Sequence, residues 1–181
     1  MEATLTPSPE TLTEAPTLSA CEALYRGYSE EPKPLKEYAG VMATFSLVFA
    51  VFLGISRQTG RPLPERLSLG DILLVGVATF KLSRTISKEV VFSPVRAPFT
   101  QFVEKAGEGE LNESPRGEGY QRTVGELLTC PFCLGMWVSA FFAYGLVLAP
   151  PLTRLLATIL VSKAISDGLH LAYTAACKGI D

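Results

Sequence analysis

Imidazole is nearly missing from this 181-residue chain: His170 is its one histidine, beside four cysteines and one tryptophan. Any metal centre or nucleophile–base pair built on histidine would rest on that single ring. No stripe of lysine and arginine interleaved with aromatics is present, so nucleic-acid binding has no support. The first 34 residues hold no basic start followed by an apolar stretch. A secretory signal peptide is therefore not expected, and the first apolar run is expected to stay as an anchor. Internal repeats are absent too. Long apolar runs are not.

Four of them, residues 38–55, 67–86, 130–148 and 152–173, approach the roughly 20 residues an α-helix needs to cross ~30 Å of hydrocarbon. The chain is 48% hydrophobic with a mean hydropathy of +0.27, high for one that also carries a polar tail and a polar loop. A soluble unit of this length would have to pack four mostly apolar helices with few polar faces. The expected fold is therefore all-α: an integral membrane helical bundle of four transmembrane helices, or three if the second or fourth lies in the interface.

Residues 1–37 hold seven glutamates against Arg26, Lys33 and Lys36, among threonines and prolines. This acidic Pro/Thr-rich tail is expected to be disordered, because it buries too little surface to offset its ordering entropy. The membrane domain is expected over 38–177. Its first span is free of ionisable groups, and the second opens at Ser68, a candidate N-cap. Phe99, Phe102 and Val103 fit a short segment lying on the membrane surface, and the Gly- and Glu-rich stretch 105–121 a mobile cytoplasmic loop. Lysine and arginine favour the side that holds the tail, the 87–122 connection and the C-terminus. The expected location is the cytoplasmic (inner) membrane, multi-pass, with both termini cytoplasmic.

Charges inside apolar runs point to function. Lys81 and Asp167 fall at matching depth on helices running the same way, so the two can pair between helices. Lys163, Asp167 and His170 form one stripe at i, i+4 and i+7, and Lys81, Arg84 and Lys88 another at i, i+3 and i+7. Two readings stand. The lysines and Arg84 snorkel to headgroups while Lys163 neutralises Asp167, or the set forms an inward polar cluster for an ion, a proton or an anionic headgroup. Asp71 sits near the far end of its span and reads as interfacial. Arg96, flanked by Pro94 and Pro98, suits anion or headgroup binding, because rigid flanks lose little entropy on docking.

Cys130-Pro131-Phe132-Cys133 opens the third span. Pro131 suits a first helical turn, which makes Cys130 the N-cap. Thiols at this spacing can close a disulfide or supply half of a tetrahedral metal site. No cofactor is expected, and a metal ion at Cys130 and Cys133 would have to be shared with a second subunit or a remote ligand. The tetrapeptide resembles a glutaredoxin active site, without the βαβ setting such a site needs. Packing remains the alternative role for both cysteines.

Three segments together resemble one bacterial membrane family: Phe80 to Thr100, Gly125 to Trp137 (Gly-Glu-Leu-Leu-Thr-Cys-Pro-Phe-Cys-Leu-Gly-Met-Trp), and Ser-Asp-Gly-Leu-His at Ser166 to His170. It is catalogued as domain of unknown function thirteen-sixty, and some members carry a sporulation-protein label. The resemblance covers roughly residues 69–173 and implies a small multispanning membrane protein without an assigned reaction. The leading functional expectation is a non-enzymatic structural or interaction protein whose cytoplasmic rim binds a partner or lipid headgroups. Its expected partners are the lipid bilayer and a second copy or another membrane protein. The alternatives are a membrane thiol-redox or metal-binding protein, and a small holin-like pore lined by Asp71, Lys81 and Asp167.

Overall fold

The structure, a computed structural model, describes residues 33–178 together with Tyr25 and residues 27–29. The expected disordered tail and Cys21 lie largely outside the described residues. Helix α1 spans Leu35–Gln58 and α2 spans Leu69–Lys88. A 3-10 turn, Val90–Phe92, leads into the short helical turn α3, Ser93–Arg96. Strands β1 (Thr100–Gly107) and β2 (Glu110–Pro115) follow, then α4 (Gly119–Thr129), α5 (Pro131–Leu148) and α6 (Pro150–Lys178).

Local chemistry sets most of these boundaries. The Ser68 hydroxyl accepts the Asp71 amide at 3.0 Å and donates to the Asp71 carboxylate at 2.9 Å, which caps α2. Helix α1 ends where Gly60 takes φ +65°, a conformation few side chains tolerate. Cys130 caps α5, with Pro131 in its first turn. One residue, Ala149, separates α5 from α6.

The strands depart from the all-α expectation. β1 and β2 pair antiparallel from Thr100↔Pro115 to Gly107↔Glu110, leaving Glu108 and Gly109 as a two-residue loop. Gly109 sits at φ +74°, as tight hairpin turns require. Of the glycines that suggested a mobile loop over 105–121, Gly107 ends β1, Gly109 makes the turn and Gly119 opens α4. Phe102 and Val103, expected with Phe99 on a surface-lying segment, lie in β1 and favour an extended backbone, while Phe99 sits in the turn before it. Bulges at Val103 and Ala106 shift the register and bend the ribbon.

Helix α2 is the centre of the bundle, packed against both α5 and α6. The core is small: Ala78, Leu134, Val138, Phe142 and Ala157. α1 attaches to α5 through aromatic rings, Phe52 on Tyr144 with centroids 4.3 Å apart and Phe45 edge-on to Trp137 at 5.2 Å. The Tyr38 hydroxyl also donates to Glu126 of α4 at 2.6 Å. α1 and α5 therefore run away from the end that carries the hairpin and α4, while α2 and α6 run toward it. That end is here called the cap.

Polarity is inverted relative to a water-soluble bundle. Leu155 and Ile159 are 59% and 57% exposed, whereas Lys81 is 7% and Arg96 0% exposed. Among the described residues three helices are long and apolar enough to cross a membrane: α1, α5 and α6. α2, expected as a fourth span, carries Asp71, Lys81, Arg84 and Lys88 and does not reach that standard on its own.

Within the cap, α4 closes on the base of the hairpin with no room to spare at Gly125. A Cβ there would run into the Phe99 carbonyl oxygen and come within 3.1 Å of the Pro115 Cβ. Gly125→Ala is expected to destabilise the protein by ~1–3 kcal/mol through overpacking. The expected sign is a lower thermal midpoint with faster proteolysis within 100–115.

Candidate functional site

Arg96 organises the cap. The end of α2 runs straight into the 3-10 turn and α3, which swings the Arg96 side chain back beneath both. Its Nε and one terminal nitrogen grip the Glu113 carboxylate of β2 at 2.9 and 2.8 Å. The other terminal nitrogen donates to the carbonyls of Ile86 (2.7 Å) and Glu89 (3.0 Å), and a fifth bond reaches the Ser93 hydroxyl at 3.3 Å. A guanidinium has five N–H donors, and all five are used. The Thr100 hydroxyl donates to the same carboxylate at 2.7 Å. The Arg96 guanidinium beside it, helped by Thr100, holds the Glu113 carboxyl below the ordinary glutamate value.

This arrangement corrects the expectation that Arg96 binds an anion or a headgroup. The side chain is fully buried and has no donor left over. The rigid prolines serve an internal salt bridge instead. Around it, Arg84 forks onto Glu110 with two bonds of 2.7 Å, and Lys88 reaches Asn112 at 3.4 Å. Arg116 and Gln121 both donate to the Pro98 carbonyl.

A second ionic set joins α2 to α6. Lys81 meets Asp167 at 2.7 Å and also donates to Glu89, the residue that ends α2. The Thr85 hydroxyl donates to Glu89 at 2.8 Å, and Lys163 pairs with Asp167 along α6. Burial alone would push the Glu89 carboxyl up. Its bonds from the Lys81 ammonium and Thr85 outweigh that and hold it below the ordinary value. Four charges, two of each sign, thus close on one another. His170 lies exposed one turn further along α6, outside this set.

At the opposite end of the bundle Arg154 forks onto Asp71 at 2.9 and 3.0 Å. The three charges expected to line a pore, Asp71, Lys81 and Asp167, are each closed in an ion pair.

The cysteine pair sits at the cap end, where α4 hands over to α5. The Cys130 sulfur accepts the Cys133 amide at 3.2 Å. Both are free, Cys133 exposed and Cys130 half-buried. Among the described residues no group of three or more His, Cys, Asp or Glu could hold a metal ion. A metal bound at these two thiols would need further ligands from outside the described residues.

Sequence reading missed Glu89, Glu110, Glu113 and Thr100. Glu110 and Glu113 lie in the stretch read as a mobile loop and Thr100 in the one read as lying on the membrane surface, and no periodicity there marks an acid as a partner. The one available signal was the density of both signs of charge on either side of the two prolines.

Residues 74–173, more than half of the chain, match the family described as "Protein of unknown function (DUF1360)". The chain belongs to that family, and the matched range holds the Lys81, Arg96 and Cys130 neighbourhoods. Among its relatives, the protein named Sporulation protein YjcA of Bacillus subtilis (strain 168) is 28% identical over 98 residues, 52% of this chain and 83% of that protein. No solved structure matches.

Two outcomes are expected. Glu113 has a lowered folded pKa, so its stabilisation is full above the ordinary glutamate value of 4.5 and is lost as pH falls through the folded value. Proteolytic protection of the hairpin should hold from neutral pH down to that range and then fail, and Glu113→Gln should remove this acid transition. Second, Lys81→Met and Asp167→Asn should each destabilise the protein, while the double variant loses less than their sum. The expected coupling is on the order of 1–3 kcal/mol from denaturation midpoints, and strict additivity would show the pair to be energetically idle.

Proposed function

We propose that this is a bacterial integral membrane protein in which all four long helices cross the bilayer and the hairpin with α4 forms a folded cytoplasmic cap. In this reading it is a structural or interaction protein, not an enzyme. The observation that carries the proposal is the inverted polarity of α2. Its outward residues Leu69, Ile72, Leu73 and Phe80 are exposed and apolar, while Lys81 points inward to Asp167. A helix in water has the opposite pattern. In lipid the pattern is the expected one, because inward charges are cheap only when paired.

The cytoplasmic side is assigned from charge. The connection between α2 and α5 carries Arg96, Lys105, Arg116 and Arg122 and adjoins Arg84 and Lys88, against Arg57 in the last turn of α1, Arg61 and Arg66 between α1 and α2, and Arg154 near the start of α6. Both chain ends then face the cytoplasm. The cap offers a partner an outward strand, β1, exposed along its whole length after Thr100 with Phe102 and Val103 at its surface. A second copy or another membrane protein suits that strand better than lipid headgroups do, since the buried arginine is already bonded.

Vesicle labelling tests this. With the native cysteines replaced by serine, Glu108→Cys should react with a membrane-impermeant maleimide only in inside-out vesicles, and Thr59→Cys only in spheroplasts. The protein should resist alkaline carbonate extraction. Labelling of both positions from one side, or release into carbonate, would overturn the reading.

A further inference from the structure

Cys130 and Cys133 are the reactive groups that the ion pairing leaves unused. Two observations join them. The Cys130 sulfur, as N-cap, sits over the first turn of α5 and accepts the Cys133 amide at 3.2 Å. Exposure is unequal, with Cys133 open and Cys130 half-buried. An N-cap and the third helical residue have Cα atoms about one turn apart, inside the roughly 4.4–6.8 Å window of disulfides. The bond between them needs side-chain rotation and no movement of the backbone.

We infer that Cys130 and Cys133 form a redox-active dithiol that reduces small-molecule disulfides by thiol–disulfide exchange. One thiolate of the pair attacks one sulfur of a disulfide RSSR, forms a mixed disulfide and releases one thiolate RS⁻. The second thiolate then attacks the protein sulfur of that mixed disulfide, closes the internal disulfide and expels the second RS⁻. The two protein thiols lose two electrons and two protons, and RSSR gains them as two RSH.

Oxidised glutathione serves as the probe, on full-length protein with Cys21 and Cys177 replaced by serine. Intact mass after alkylation should show the unmodified-sequence pair losing both alkylation sites with no retained glutathione. Cys130→Ser keeps a hydroxyl N-cap and so preserves the helix start. It should trap one glutathione adduct on Cys133, and Cys133→Ser one on Cys130, whereas the intact pair clears both. The inference is overturned if the intact pair keeps a stable glutathione adduct or remains fully alkylatable, or if neither single variant traps an adduct. None of these readouts depends on which way the protein crosses a membrane, so failure here leaves the vesicle experiment to stand or fall separately.

Discussion

A charged side chain that leaves water must bring its counter-charge with it, and that constraint explains where this structure is dense and where it is thin. Its apolar packing is slight: five side chains, with Phe142 the single ring among them, make up the core of the described residues. Specificity comes from ion pairs at three levels. Asp71 with Arg154 fixes one end of α2 against α6, Lys81 with Asp167 fixes it nearer the cap, and Arg96 with Glu113 fixes the hairpin to the end of α2. Paired charges in a dry setting are directional and unforgiving, because removing one partner strands the other. Apolar contacts hold the helices close; the pairs decide register.

The Arg96 site shows how far such a group can be internalised. Complete burial of a guanidinium is tolerable only when every donor finds an acceptor, and two of its five acceptors are main-chain carbonyls near the end of α2. The helix terminus has unpaired carbonyls to satisfy, and the arginine has donors to place. One residue meets both needs while welding α2, α3 and β2 together.

Sequence periodicity made the helices legible because each obeys a local rule. Ser68 and Cys130 announced themselves as caps, and the depth of Lys81 and Asp167 followed from counting residues at a fixed rise. The cap escaped for the opposite reason. Glycine and glutamate between 105 and 121 look like solvated chain unless one knows that Gly109 closes a hairpin, and Glu113 gains meaning only from an arginine 17 residues earlier. Composition cannot distinguish an acid facing water from one facing a buried guanidinium. Arg96 was therefore recognised as unusual and given the wrong counter-ion: an external anion in place of Glu113.

The α5–α6 connection has one further consequence. With a single residue between two long helices, and the Gly145 backbone close enough to Thr153 that no side chain fits between them, that corner is nearly featureless. Folded mass is gathered almost entirely at one pole of the molecule. Among the described residues, the far pole is left with the short arginine-bearing stretch between α1 and α2 as its one sizeable handle. Of these residues, that stretch is what an antibody, protease or binding protein approaching from there has to grasp.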